Sequence, residues 1–145
     1  MSDWKTATLR MAQRLRRSGI SGGLIALLLV AVAPVTAWAH GFTAALGWWL
    51  LLAFCLAPIA LAVHLLFDAR LFHLAASHDS EGEALAAIDD VLARMRLRAR
   101  PAVPAPLLQR FSGCRRLILL QWSTLAIAIF LYGILMLDAV DGVAT

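Results

Sequence analysis

Charge is scarce in this chain where soluble proteins carry most of it. Only 15% of its 145 residues are Asp, Glu, Lys or Arg, and none falls within 18–39, 42–67 or 117–137. An apolar content of 61%, against the roughly 45–50% of an ordinary globular domain, excludes a conventional soluble fold. The mean hydropathy of +0.79 agrees. Cysteine occurs only at Cys55 and Cys114. Their separation matches no redox or metal-ligand spacing, so both read as buried free thiols. Missing as well are a serine–histidine–acid set, a glycine-rich phosphate loop and carboxylates paired in a cleft, so no enzyme is expected. The formal charge of +4 does not point to nucleic acid, because basic residues beside apolar runs have a simpler cause in membrane topology.

What is present is three long apolar runs. The run 42–67 has 26 residues and exceeds the roughly 20 that a helix needs to cross a hydrocarbon core. On a helix, Ala53, Ala57, Ala60, His64 and Asp68 share a face, which should look into the protein because small residues permit close helix approach. Pro58 is expected to kink the segment around residues 53–57. The run 18–39 places Gly19, Gly23, Ala26, Val30 and Ala33 on one face. It reads as a first span. A cleaved signal peptide ending at Ala39 is the alternative, since Ala37-Trp38-Ala39 follows an apolar core and an arginine pair. The uncleaved span is preferred, because a cut there would leave only two residues before the next run. The third run, 117–137, carries Ser123, Ala126 and Gly133 together with Phe130 on one face.

Between the second and third runs lies the most polar stretch. The helical pattern should continue past Asp68 to Leu74 and break at Ser77-His78-Asp79. Ser80 with Glu83 three residues on is a capping-box signal, and a helix is expected over about 80–98. Leu85, Ile88, Leu92 and Met95 form its apolar stripe, a candidate surface for docking a partner. A stiff Pro-rich connector, 101–106, follows.

Every Lys and Arg precedes Ser18 or lies between Arg70 and Arg116. The positive-inside rule then puts the amino terminus and the loop 68–116 in the cytoplasm, and the tail 138–145 in the periplasm. Residues 1–17, with Trp4, Thr8, Met11 and Leu15 on one face, read as a basic cytoplasmic flank in contact with anionic lipid.

The expected architecture is therefore an all-α integral membrane protein of a bacterial inner membrane. It has three transmembrane helices and a short amphipathic cytoplasmic helix between the second and third. Its expected work is non-catalytic: an accessory, assembly or scaffold component that docks to another membrane protein or to itself, without cofactor. The alternative is handling of a metal ion, haem or a small solute through inward-facing His64 and Asp68, because ionisable groups inside a membrane are functional candidates. A plainer account of that pair is preferred, in which His64 meets the headgroups and Asp68 pairs with Arg70 or a loop arginine. A four-ligand site adding His73 and His78 would require the helix to break, and a copper pair at a new amino-terminal His40 lacks a second histidine.

Overall fold

The computed structural model describes residues 3–36, 42–96 and 106–143. His40, the proposed cleavage site and connector residues 101–105 lie outside the described residues. Four helices make up the fold: α1 (Asp3–Thr36), α2 (Phe42–Ala76), α3 (Glu81–Arg94) and α4 (Leu107–Val143). No strand occurs among the described residues. Helices α1, α2 and α4 are each long and apolar enough to cross a membrane.

At 1.5 Å per residue these three helices are about 50 Å long, against about 30 Å of hydrocarbon. Each one outruns a bilayer core. The excess lies at the end that carries the arginines. There α1 does not separate into a surface flank, because Met11, Ala12 and Leu15 are buried in one cluster with side chains of α2 and α4, and Thr8 is buried as well. The basic segment is thus the first part of the α1 bundle helix.

Contacts set the register. Gly19 and Gly23 meet Ala62, and Ala33 clusters with Leu51 and Cys55, so α1 and α2 run antiparallel. Phe72 stacks on Phe111 at 5.4 Å while Gly47 abuts Leu135, so α2 and α4 are antiparallel too. On α2 the buried positions Leu51, Cys55, Pro58, Ala62, Leu65, Ala69 and Phe72 alternate by four and three, and Leu71 and Ala75 are buried beside them under α3. On α4, Cys114, Gln121, Ala128 and Leu135 repeat every seven. These are the 3.5-residue periods of helices packed nearly in line.

The expected inward face of α2 is therefore corrected. Ala53, Ala60 and His64 are exposed and Ala57 is half-buried, since that stripe is offset by two residues, about 200° of helix, from the packed one. The close contact is made instead by the α1 glycines and Ala62 of the packed stripe, so the small residues of the other stripe are not needed for it. A Cβ on Gly19 would stand 3.2 Å from the Ala62 carbonyl oxygen, and one on Gly23 would stand 3.1 Å from Ala62 Cβ. The α4 stripe is turned outward for the same reason: Ser123, Ala126 and Gly133 are exposed, and nothing lies within 4 Å of a Cβ on Gly133.

Helix α2 runs unbroken through Pro58 and ends at Ala76, where Ser77 N donates to the Leu74 carbonyl at 3.2 Å. Ser80 then caps α3, its hydroxyl accepting from Glu83 N at 3.3 Å. Helix α3 closes at Arg94, four residues short of the expected limit, because Arg96 takes a left-handed φ of 55° and ends the turn. Its stripe is not free for a partner. Ile88 is buried against Leu71 and Ala75 of α2, and Leu85 joins the core with Leu65 and Phe72. Leu92 is half-covered, and of the four only Met95, at 53% exposure, faces outward. The antiparallel return of α3 on the overhanging part of α2 buries what the sequence alone leaves sticky.

Candidate functional site

The polar chemistry inside the bundle gathers at two levels. The deeper lies where all three long helices meet. Gln121 on α4 is fully buried, and its Nε2 donates to the Pro58 carbonyl at 3.3 Å. Its Oε1 accepts from Ser18 Oγ at 3.1 Å, and Ser18 Oγ accepts from Trp122 Nε1 at the same distance. One carboxamide thus ties α1, α2 and α4 together. Gly22 makes room for it, since a Cβ there would stand 2.6 Å from Gln121 Nε2. Sequence reasoning missed this clamp. The available signal was that Gln121 is the one carboxamide in 117–137, and a buried amide in hydrocarbon must find partners.

The second level is at the arginine-bearing end, beneath α3. A cavity of about 220 Å³ is lined by Asp68, Phe72, Ile88, Arg110 and Cys114, among others. Asp68 is half-buried and turned toward α4, where its Oδ2 receives the Cys114 thiol at 3.8 Å. The expected pairing of Asp68 with Arg70 does not occur. Arg70 is exposed on the far side of the helix, and Asp68 forms no ion pair with any described arginine.

Arg110 instead binds Asp89 of α3, Nη2 to Oδ1 at 2.5 Å, with side chains 13% and 5% exposed. The other carboxylate oxygen of Asp89 is buried without a hydrogen-bond partner among the described residues. This ion pair closes α3 onto α4. The sequence showed both residues but not their meeting, because 20 residues separate them and the spacing carries no helical signature.

His64 does not line this cavity and faces outward. His73 is exposed, and His78 Nδ1 contacts the Leu74 carbonyl at 3.0 Å. The four residues do not converge, and no group of three or more metal-ligating side chains occurs among the described residues. Cys55 and Cys114 are both free and buried, as the sequence indicated. The polar groups in the cavity wall are the Asp68 carboxylate, the Cys114 thiol and the Arg110 guanidinium, the last already paired with Asp89, over an apolar floor. No family model matches the chain, and no curated protein or solved structure shows significant similarity to it.

Proposed function

We propose that the protein is a small non-catalytic component of a bacterial inner membrane that docks laterally onto another membrane protein or a second copy of itself. The observation that carries this reading is a surplus of small residues. Gly19, Gly22, Gly23 and Ala62 serve the close contacts within the bundle. Ala53 and Ala60 on α2, with Ser123, Ala126 and Gly133 on α4, face outward and serve none of them. Lipid is well met by bulky apolar side chains, whereas small residues let a neighbouring helix backbone approach. Phe130, 69% exposed, lies on the same α4 face.

The distribution of arginine supports an orientation with the amino terminus and α3 in the cytoplasm and the carboxyl terminus outside. The reading is tested with A126L/G133L. If the face meets a neighbouring helix, energy transfer between differently tagged copies, or co-isolation with a membrane partner, falls to background while helical content is retained. Undiminished association of the double variant would overturn it.

A second reading is favoured by one observation, the cavity beneath α3 with Asp68 in its wall. Small-solute handling there would be lost with Asp68→Asn and kept with A126L/G133L, the reverse of the docking result.

A further inference from the structure

Arg10 and Arg14 stand one turn apart on α1, and Arg115 stands opposite them on α4. Together with Ala7, Met11, Phe111 and Ser112 they line a groove of about 370 Å³ between the two helices. Their level follows from the intramembrane clamp. Ser18 contacts Gln121, and six residues earlier on each helix come Ala12 and Arg115, so Arg115 is level with the stretch between Arg10 and Arg14. At 1.5 Å per residue Arg14, Arg115 and Arg10 thus follow one another at about 6, 9 and 12 Å beyond the clamp. That is where headgroups lie over the hydrocarbon edge.

No carboxylate lines the groove, and none of the three arginines forms an ion pair among the described residues. Like charges one turn apart on a helix repel. Topology asks only that arginines lie on this side of the membrane; it does not ask that residues a hundred positions apart converge on one groove. Ser112 Oγ already donates to the Gln109 carbonyl at 2.8 Å, so the donors left for a ligand are the guanidiniums, whose forked geometry suits phosphate oxygens. Met11 and Phe111 supply an apolar wall continuous with the core.

We propose that this groove binds the phosphate of an anionic phospholipid, with Arg14 and Arg115 gripping the headgroup and Arg10 above them. The proposal rests on the three apolar helices being embedded in a bilayer and not on lateral docking.

A second basic groove provides the control. Arg16, Arg70 and His73 line about 540 Å³ between α1 and α2, so R14Q/R115Q and R16Q/R70Q each remove two arginines at the same end. The full chain in nonionic micelles is titrated with phosphatidylglycerol or phosphatidylcholine, and lipid occupancy is read by native mass spectrometry. Partner and orientation do not enter this measurement. Wild type should retain one phosphatidylglycerol in preference to phosphatidylcholine. R14Q/R115Q should weaken that binding roughly tenfold or more and R16Q/R70Q less than about threefold, with circular dichroism unchanged in both. Equal losses in the two variants would mean diffuse attraction and overturn the site, as would equal affinity for the two lipids. Glycerol phosphate in large excess separates the phosphate sources: failure to displace the lipid supports a lipid ligand, and displacement overturns it in favour of a free phosphate.

Discussion

The clamp at Gln121 yields the sharpest test of how this bundle is held together. In Gly22→Ala the new methyl would stand 2.6 Å from Gln121 Nε2 and 2.7 Å from its Cδ. A surface glutamine would swing away. Gln121 is fully enclosed and bonded to Ser18 and the Pro58 carbonyl, so moving it breaks both bonds. Overpacking of this kind costs about 1–3 kcal/mol. Two interhelical hydrogen bonds in a membrane add about 0.6 kcal/mol each. Set against the roughly 1 kcal/mol by which alanine is favoured over glycine in a helix, the single substitution should destabilise by about 1–3 kcal/mol.

In a Gln121→Ala background the same methyl enters vacated space, and alanine is favoured over glycine in a helix by about 1 kcal/mol. There Gly22→Ala should stabilise by about 1 kcal/mol. Reversible unfolding of the full chain in mixed micelles, followed by circular dichroism, measures the double-mutant cycle, and a coupling of about 2–4 kcal/mol is expected. If the two single effects add to the double within about 0.5 kcal/mol, Gly22 and Gln121 do not share a space and the clamp is wrongly described.

Two further outcomes follow from the arginine-bearing end. Arg110→Met leaves Asp89 charged and enclosed without its partner and should cost about 3–5 kcal/mol, while D89L/R110M should recover most of the loss; a penalty below about 1 kcal/mol for the single variant in thermal unfolding would refute the buried pair. For orientation, cysteines placed at Ala86 and Ala144 should react with an impermeant thiol reagent from opposite sides of the membrane, against a low background because Cys55 and Cys114 are buried; labelling of Ala86→Cys from the periplasm would invert the topology.

Elements set by local chemistry were legible and faces were not. The break at residues 77–80 and the Ser80 cap follow from a few neighbouring residues, and both occur as expected. The face of α1 was also readable, because Gly19, Gly23 and Ala26 leave few other ways to pack a helix closely. On α2 two stripes compete, Ala53-Ala57-Ala60-His64-Asp68 and Leu51-Cys55-Pro58-Ala62-Leu65. Choosing the one with more small residues picked the wrong one. Through residues 51–62 both stripes are apolar enough to face lipid, so burial there has no compositional signature of the kind that marks a soluble helix.

The amino-acid sequence by itself determined three long apolar helices, the polar segment between the second and third, and the break at residues 77–80 with its Ser80 cap. Each of these depends on hydrophobicity and backbone chemistry summed over adjacent residues. Only the tertiary structure decided that α3 folds back on α2 and covers Leu85 and Ile88, that Gln121 meets Ser18 and Pro58, and that Asp89 pairs with Arg110 while Asp68 turns to Cys114. It likewise decided that Ala53 and Ala60 of α2 and Ser123, Ala126 and Gly133 of α4 face outward. Those outcomes depend on the relative rotation and register of helices far apart in the chain. Which glycine stands opposite which side chain sets that rotation, and no single segment contains both partners.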